Sequence, residues 1–337
     1  MAAHVANSRQ SSVVHSSTRR ARALHRPRSG CGRNQTQVAS RAGWQSQQSE
    51  RLAGVLCRSG ITVPLVPVDK DDTLWQKIRE EAREASNNEP ALASYLYATV
   101  LAHSTLEQSM AFLLANKMAS PTLLATQVME LISDVYLNDF EVTKAFRRDL
   151  CAAFDKDPAC STYVQAMIHF KGFQAIQCHR VSHHLYMQGR RALALALQSR
   201  VSELFQVDIH PGAVLGEGIL IDHATGVVIG ETAVVGNGCT LLHHVTLGGS
   251  GKDTGKRHPT LGDGVLVGAG ATLLGPINVG DGARIGAGSL VLTDIPAGRT
   301  AVGVPAKILG GEVSTAPAAE MMDQTGYIND YEGTYMI

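Results

Sequence analysis

The chain has 337 residues, with 30 acidic and 30 basic side chains and a formal net charge of zero. This balance excludes a general electrostatic attraction to nucleic acid or to an anionic membrane. The longest apolar run, 192–197, is far too short to span a bilayer. The six cysteines form no CxxC pair, which indicates free thiols in a reducing compartment. The length is enough for two domains.

Residues 1–60 differ in composition from the rest of the chain. They are rich in arginine and serine, and no acidic residue occurs before Glu50. This composition is typical of an organelle transit peptide, and we favour a chloroplast or other plastid over a mitochondrion. The alternative is a disordered basic tail on a cytosolic protein.

The segment 70–205 has the apolar periodicity of helices. Asp71 or Asp72 can cap the first of them with a side-chain carboxylate. Ser120 followed by Pro121 predicts another helix start, because proline fits the first helical position. Further helices are predicted over 90–103, 140–154 and 160–205, the last divided near Gly172 and Gly189. Helices and strands in separate blocks predict two domains rather than an interleaved fold.

An aliphatic residue then returns every six positions from about Val207 to Ile295, usually followed by glycine. A period of six fits neither a helix nor an alternating strand. It predicts a short parallel β-strand and a tight corner, repeated, with the aliphatic side chains inside. A glycine-rich loop with chance aliphatics is the alternative. The phase nevertheless holds without interruption at Leu261, Val267, Leu273, Val279, Ile285 and Val291.

After a two-residue slip that follows Ile221, the repeat is interrupted once more, by a polar segment, 248–259, between Leu247 and Leu261. Solenoids commonly place their chemistry on such excursions. The segment does not match a phosphate-binding loop, because Gly255-Lys256 is followed by Arg257 instead of serine or threonine. From about residue 311 to residue 337 the chain is polar without periodicity, which predicts a flexible tail.

Asp208, Asp222 and His223 lie in neighbouring repeats and form the first candidate group. A histidine near a carboxylate is the minimum for general-base catalysis, because the carboxylate orients the ring and stabilises its charged form. The alternative is that each aspartate bonds the backbone of its own corner. Arg257 and His258 end the excursion, and a guanidinium is a natural partner for a substrate carboxylate. A solvated basic loop is the competing interpretation.

Two groups of histidines raise the question of a metal site. His179 and His183 have i, i+4 spacing on a predicted helix, but no HExxH glutamate or third ligand accompanies them. We therefore favour hydrogen-bonded helix histidines. His243 and His244 are adjacent, and in a strand their side chains would point to opposite faces, so one of them would point away from a shared site.

Five strings of the solenoid resemble serine O-acetyltransferase, as does the helical block through 157–159, 171–173 and 179–180. The strings are Asp-Ile-His-Pro-Gly-Ala (208–213), Ile-Asp-His-Ala-Thr-Gly (221–226), Gly-Glu-Thr-Ala (230–233), His-Val-Thr-Leu-Gly-Gly (244–249) and Arg-His-Pro (257–259). The resemblance covers about residues 70–310. Hexapeptide repeats alone mark a broad acyltransferase superfamily, whereas this combination is much more specific. His243-His244 and the transit-like N-terminus suggest the plant-type branch.

The resemblance implies a helical oligomerisation domain over 70–205 and a left-handed parallel β-helix over 206–300 that carries the acetyltransferase site. It implies a homotrimer whose trimers pair into a hexamer, with active sites between adjacent solenoids. Acetyl-CoA would be the donor and L-serine the acceptor, with acetyl-CoA as co-substrate and neither a further cofactor nor a metal.

The resemblance also implies roles for individual residues. His223 would be the general base, oriented by Asp208. The serine ammonium would lie against Asp157 and Asp222, and its carboxylate against Arg257 and His258. The backbone N–H of Gly249 would be the oxyanion donor. Acetyl-CoA would contact Ala269, Gly270, Ala287 and Lys307.

Lys256 and Ile337 are two further positions on which the resemblance bears. Lys256 stands where the family commonly has aspartate, which reverses a charge in the excursion and leaves its contacts, and inhibition by cysteine, open. The chain ends at Ile337, and in this family the terminal isoleucine enters the active site of O-acetylserine (thiol) lyase in the cysteine synthase complex. An uninvolved tail is the alternative.

Two other functions fit part of the pattern. Another hexapeptide acyltransferase, acting on a sugar or an antibiotic, would share the solenoid but would not need the amino-acid contacts of Asp157, Arg257 and His258. A non-enzymatic scaffold would share the solenoid and would not depend on His223.

Overall fold

The computed structural model describes residues 54–56 and 62–64 by their backbone, and residues 72–251, 254–310 and 317–322 with their side chains. Among these residues no helix is long and apolar enough to cross a membrane. The described cysteines, Cys151, Cys160, Cys178 and Cys239, are all buried free thiols. An antiparallel hairpin of β1 (Gly54–Leu56) and β2 (Thr62–Pro64) comes first, and β1 lies inside the predicted transit segment.

Helices fill the chain from Thr73 to Phe205, as the periodicity predicts. They are α1 (Thr73–Asn88), α2 (Ala93–Leu96), α3 (Leu106–Met118), α4 (Ala125–Asn138), α5 (Phe140–Lys156), α6 (Tyr163–His169), α7 (Lys171–Met187) and α8 (Arg191–Phe205). A 3₁₀ turn, Pro90–Leu92, precedes α2, and a π turn, Tyr97–Leu101, follows it.

Side-chain caps fix several helix starts. The carboxylate of Asp72 accepts the N–H of Trp75 at 3.1 Å, as expected of an N-cap. The predicted start at Pro121 is wrong, because α4 begins at Ala125. The Ser120 hydroxyl accepts the N–H of Leu123 at 3.0 Å and closes a turn there, instead of capping a helix.

The strands that follow are two to four residues long and are separated by corners. They are β3 (Val207–Ile209), β4 (Val214–Leu215), β5 (Leu220–Ile221), β6 (Val227–Ile229), β7 (Val234–Val235), β8 (Thr240–Leu241), β9 (Thr246–Gly248), β10 (Thr260–Leu261), β11 (Leu266–Val267), β12 (Thr272–Leu274), β13 (Asn278–Val279), β14 (Arg284–Ile285), β15 (Leu290–Val291), β16 (Thr300–Gly303) and β17 (Ala306–Ile308).

These strands form three sheets around a narrow interior, one strand of each sheet per coil. The first sheet has the order β15-β12-β9-β6-β3, the second β13-β10-β7-β4 and the third β17-β16-β14-β11-β8-β5. All pairs are parallel except β16 with β17. The aliphatics of the six-residue repeat are buried inside, for example Ile229 and Val235. The predicted fold, a helical block followed by a parallel β-helix, is confirmed.

The helical block packs directly on the first coils of the β-helix, and one hydrophobic core runs through both. The buried pair of Arg180 and Asp149 lies at this junction, with Nε 2.7 Å from Oδ2. Arg180 also donates to the carbonyl of Gly216 at 2.7 Å, and Asp149 accepts the N–H of Ile219 at 3.0 Å. These bonds satisfy a buried charge pair and fix the solenoid relative to α5 and α7.

The described part of the predicted tail, 317–322, is packed against the solenoid. It holds a short helix, α9 (Ala318–Met321), whose first two alanines are buried. The N–H of Ala319 donates to the carbonyl of Gly264 at 3.1 Å, and the Thr240 hydroxyl donates to the carbonyl of Ala319 at 3.4 Å. Residues 323–337 lie outside the described part.

Candidate active site

The candidate residues gather at two corners of the β-helix, which lie at opposite ends of the strands of the first sheet. The His223 corner comprises residues 222–226 and 242–244, which precede β6 and β9. The Arg257 corner comprises residues 210–213, 230–233 and 254–258, which lead into the second sheet. Because the strands between them are two or three residues long, the corners are on the order of 10 Å apart on one chain.

The backbone of the His223 corner is held in a rare conformation. His223 and Ala224 have φ of 55° and 59°, in the left-handed region that side chains other than glycine seldom adopt. The corner is closed by a hydrogen bond from the N–H of Gly226 to the carbonyl of Gln206 at 2.8 Å. Such strain persists where the surroundings impose it, and it concentrates at functional sites. The result is an imidazole that stands out from the corner, with its side chain 74% exposed.

Asp222 lies beside this imidazole and is partly buried. Its Oδ2 is 3.7 Å from Nε2 of His223, close enough for an ion pair and too far for a hydrogen bond. Burial raises the pKa of Asp222, the charge of Asp157 at the end of α5 raises it further, and His223 opposes the shift. The structure therefore brings Asp157, Asp222 and His223 together, as the sequence comparison implied.

The two adjacent histidines lie in a turn, so the expectation of a strand was wrong. His244 has φ of 57° and is exposed, with its ring against Gly226. The ring of His243 lies edge-on to that of His223, with centroids 5.8 Å apart. Both histidines thus stand at the same corner, although only His243 faces His223. No group of three or more His, Cys, Asp or Glu in the described chain is arranged to hold a metal ion.

The first turn of α7 packs against the His223 corner. The Lys171 ammonium donates to the Thr225 hydroxyl at 2.5 Å. A side chain at Gly172 would meet the carbonyl group of Ile221 and the Cβ of Ala224, so only glycine allows this approach. Further along the same helix, Nδ1 of His183 lies 2.7 Å from the carbonyl oxygen of Pro211. This bond agrees with the interpretation of hydrogen-bonded helix histidines.

Arg257 is held at its own corner by an acidic partner. Its Nη2 is 2.7 Å from Oε2 of Glu231, and the Tyr186 hydroxyl donates to the same carboxylate at 3.3 Å. The hydrogen bond from Arg257 lowers the pKa of Glu231. Lys256, the position with the reversed charge, donates to the backbone carbonyl of Thr232 at 2.5 Å. The excursion is therefore folded back onto the corner where residues 230–233 lie.

His258 is buried at the same corner, with only 7% of the residue exposed. Its Nδ1 accepts the backbone N–H of Thr232 at 3.1 Å and lies 2.9 Å from the Thr232 hydroxyl. Burial lowers its pKa, and the charge of Arg257 lowers it further. The ring lies against Gly230 and Gly249, and a Cβ at Gly249 would lie 3.2 Å from Nε2. Gly249, the proposed oxyanion donor, is thus next to His258.

Asp208 is placed differently from the expectation that it orients His223. Its Oδ1 accepts a hydrogen bond from the Gln198 amide at 2.6 Å. It makes no hydrogen bond to His223 within a single chain over the described residues. Its negative charge raises the pKa of His210, against the larger lowering caused by burial. The orienting role of Asp208 stays a prediction.

The residues expected to contact acetyl-CoA continue the His223 edge along the solenoid. Gly270 donates its N–H to the carbonyl of His243 at 2.9 Å, and Gly288, next to Ala287, donates to that of Ala269 at 2.8 Å. Successive corners are therefore stacked in line. Lys307 lies on β17 at the far end. Ala269 also packs against a small buried cluster of Leu242, Leu266 and Ala318, the last of which belongs to the described tail segment.

Three residues of these corners had no assigned role in the sequence analysis: Lys171, Glu231 and Thr232. Lys171 was noted only as part of a resembling string, as were Glu231 and Thr232 in 230–233. Their contacts join positions 26 to 54 residues apart, which a periodic pattern cannot reveal. The sequence holds one signal for two of them. Residues 230–233 fall at a corner of the repeat, yet they include Glu231 and Thr232, which are neither aliphatic nor glycine.

Comparison with known proteins decides the family. A model described as the N-terminal region of serine acetyltransferase matches residues 74–178, and a bacterial transferase hexapeptide model matches residues 258–293. A probable serine acetyltransferase of Oryza sativa subsp. japonica is 56% identical over 272 residues, which are 78% of this chain and 79% of that protein. The chain belongs to the serine acetyltransferase family. It is an acyltransferase, and the suspected resemblance is confirmed.

Other serine acetyltransferases agree in sequence and in structure. Arabidopsis thaliana proteins named as chloroplastic and as mitochondrial are 48% and 47% identical, over 78% and 80% of this chain and 85% and 71% of their own lengths. The soybean enzyme complexed with serine has a TM-score of 0.69 at 56% identity and covers 70% of this chain and 97% of its own. The Brucella abortus enzyme in complex with coenzyme A has a TM-score of 0.71 at 46% identity, with coverages of 73% and 99%.

Proposed function

We propose that this serine acetyltransferase moves the acetyl group of acetyl-CoA to the hydroxyl of L-serine, giving O-acetyl-L-serine and CoA, the first step of cysteine biosynthesis from serine. The observation that carries this proposal is the pair of corners, one with two carboxylates beside an exposed imidazole and the other with a guanidinium beside a buried imidazole. An amino acid with a hydroxyl group presents the complementary charges. The soybean relative complexed with serine supports the choice of acceptor.

His223 is the proposed general base. Its imidazole would take the proton of the serine hydroxyl while the oxygen attacks the thioester carbonyl carbon. The tetrahedral oxyanion would then collapse, the carbon–sulfur bond would break, and the thiolate would receive the proton from the imidazolium. A base of this kind typically contributes about 10²–10⁴-fold to the rate. The backbone N–H of Gly249 is the proposed oxyanion donor.

The two charged corners assign the ends of the substrate. Asp157 and Asp222 would hold the serine ammonium, and Arg257 and His258 its carboxylate. On one chain the two corners lie at opposite ends of the first-sheet strands, on the order of 10 Å apart, whereas the ammonium and the carboxylate of serine share one α-carbon. The complete site would therefore join the His223 corner of one chain to the Arg257 corner of its neighbour. In this arrangement Asp208 of one chain would contact His223 of its neighbour across the interface.

Head-to-tail contacts of this kind close into a ring, and we propose a homotrimer. Exposed apolar side chains on the helical block, Leu92, Tyr97, Leu124 and Leu137 among them, favour the pairing of two trimers into a hexamer through that block. The molecular mass in solution tests both assemblies.

Acetyl-CoA would lie along the edge that begins at His223. Adjacent coils of a β-helix are about 4.8 Å apart, so Ala287, three coils further, is roughly 14 Å from His223 along the axis. The small residues at Ala269, Gly270 and Ala287 leave room for a flat pantetheine arm with its thioester towards the base. Lys307 would contact the far end of the molecule. The relative solved with coenzyme A supports a CoA site in this fold.

Two further proposals concern the ends of the chain, which lie mostly outside the described residues. Ile337 would enter the active site of O-acetylserine (thiol) lyase, so its removal should abolish co-elution with the lyase and leave acetyl transfer intact. Residues 1–60 would direct import into a plastid, or into a mitochondrion. Import assays of the fused segment distinguish these organelles from a cytosolic location.

The activity is tested by following thiol release from acetyl-CoA with L-serine and with other hydroxyl acceptors. We expect serine-dependent release, and we expect His223→Ala to lower kcat by about 10²–10⁴-fold because the base is lost. Release without serine preference would instead indicate a sibling acyltransferase. Absence of release from a folded, oligomeric protein would contradict the proposal.

A further inference from the structure

Thr232 occupies an unusual place at the Arg257 corner, because a single hydroxyl contacts three atoms of the excursion. Its Oγ1 accepts the backbone N–H of Arg257 at 3.0 Å and that of His258 at 3.2 Å. The same oxygen lies 2.9 Å from Nδ1 of His258. The Thr232 carbonyl also accepts a hydrogen bond from the Lys256 ammonium. One corner residue thus contacts three consecutive residues of the excursion.

The protons in this cluster can be assigned from the donors alone. The backbone N–H of Thr232 can only donate, so Nδ1 of His258, 3.1 Å away, must be an acceptor. The Thr232 hydroxyl already accepts two N–H groups, so its own proton is available for Nδ1 as well. A neutral His258 therefore carries its proton on Nε2, and burial and the charge of Arg257, which lower its pKa, favour that neutral form.

In the proposed serine site His258 holds the substrate carboxylate, and the proton on Nε2 is the one that its ring has left to donate. Nε2 faces Gly230 and Gly249, and a Cβ at Gly230 would lie 2.0 Å from it, so glycine at this position makes room for the ring itself. The opposite tautomer would present a lone pair at Nε2 and would repel a carboxylate. A corner threonine that only closes its own turn would not need to bond the ring of a residue 26 positions away.

We propose that Thr232 is a positioning residue for substrate recognition: its hydroxyl fixes His258 as an Nε2–H donor and holds the backbone of Arg257 and His258 in place. This role rests on the proposed serine site. It predicts that loss of the Thr232 hydroxyl weakens the binding of serine and leaves the binding of acetyl-CoA unchanged.

The test compares two substitutions in the full-length chain. Thr232→Val keeps the shape and removes the hydroxyl, whereas Thr232→Ser keeps the hydroxyl and removes the methyl group. We expect Thr232→Val to raise the KM for L-serine roughly tenfold or more, the factor of a lost buried hydrogen bond, with the KM for acetyl-CoA unchanged. Thr232→Ser should stay close to the unmodified chain in both constants.

Three results would overturn the proposal. They are a normal KM for serine in Thr232→Val, an equal loss in both variants, and a rise in the KM of both substrates together. Thermal unfolding of each variant separates these outcomes from a loss of fold. If the unmodified chain itself shows no serine-dependent acetyl transfer, then the proposed function fails, and that failure is recognised before any variant is compared.

If Thr232→Val does not fold, a second pair of variants tests which ring nitrogen of His258 donates to the substrate. His258→Gln can place an amide N–H near the position of Nε2, whereas His258→Asn reaches only the position of Nδ1. Calorimetric titration with L-serine should show tighter binding to His258→Gln than to His258→Asn. The reverse order would place the donor on the other nitrogen and would contradict the role of Thr232.

Discussion

Asp222 shows how the neighbours of one residue set its chemistry. Burial and the nearby charge of Asp157 both raise its pKa, and His223 only partly opposes them. The carboxylate is therefore protonated at a higher pH than an ordinary aspartate. A protonated Asp222 cannot pair with an ammonium group, so its proposed contact with the serine ammonium should weaken in acid.

This shift predicts a pH dependence of serine binding. As the pH falls through the raised pKa of Asp222, its negative charge is lost and the KM for L-serine should rise. The relevant charged neighbours are Asp157, His223 and His243. KM measured against pH should rise at a higher pH in the unmodified chain than in Asp157→Asn, where one source of the shift is removed. An unchanged profile in Asp157→Asn would show that Asp157 does not act on Asp222.

The sequence predicts which candidate side chains lie together better than it predicts the residues that hold them in place. Asp157, Asp222 and His223 meet at one corner, and Arg257 and His258 at another, as the resembling strings implied. The sequence predicts no role for Thr232 or Glu231, because their partners lie at the end of the excursion. A single sequence does not reveal the corner onto which an excursion folds. Asp208 shows the same limit, since its contact within the chain is with Gln198.

At the level of elements, the junction between α7 and the His223 corner couples the helical block to the site. Gly172 lies in the first turn of α7, where a Cβ would come within 3.1 Å of the Ala224 Cβ and still closer to the Ile221 carbonyl oxygen. Lys171 donates to Thr225 from the same turn. The strained backbone of 223–224 therefore lies against a helix turn that approaches closely only because residue 172 is glycine.

Gly172→Ala should therefore destabilise the fold and displace His223, the proposed base. Alanine gains at most about 1 kcal/mol of helix propensity over glycine. Overpacking at such a contact typically costs about 1–3 kcal/mol, so the clash outweighs the gain. Denaturant unfolding should show reduced stability, and kcat should fall because His223 is displaced.

Gly310→Ala is the matched control for this substitution. A Cβ at Gly310 meets nothing within 4 Å, so stability and kcat should stay near those of the unmodified chain. If Gly172→Ala behaved like Gly310→Ala, then the close approach would not be what holds the corner.

The six-residue period predicted the coils well because each buried aliphatic and each corner is a local requirement. Two local signals failed for a physical reason. Ser120 and Pro121 resemble a helix start, but the Ser120 hydroxyl closes a turn and α4 begins later. The adjacent pair of His243 and His244 was assigned to a strand, although the left-handed φ of His244 places it in a corner. Backbone conformation at single residues is not encoded in the period.

At the scale of the whole molecule, the candidate residues form two separate groups, which we propose to be the two halves of one site. The His223 corner carries Asp157 and Asp222, and the Arg257 corner carries Arg257 and His258, at opposite ends of the first sheet. Neither the period nor the motifs required this separation, which follows from the position of each corner in the coil. A chain with complementary halves on two edges reaches a complete site by assembling with copies of itself.

Complementation between two inactive variants tests this central claim most directly. His223→Ala and Arg257→Ala should each lose serine acetylation alone. When the two are unfolded together and refolded as a mixture, an intact His223 corner should meet an intact Arg257 corner at about a quarter of the interfaces of a randomly mixed ring. Thiol release with L-serine should then recover to about that share of the unmodified activity. A refolded, oligomeric mixture with no more activity than the separate variants would show that both corners act within one chain.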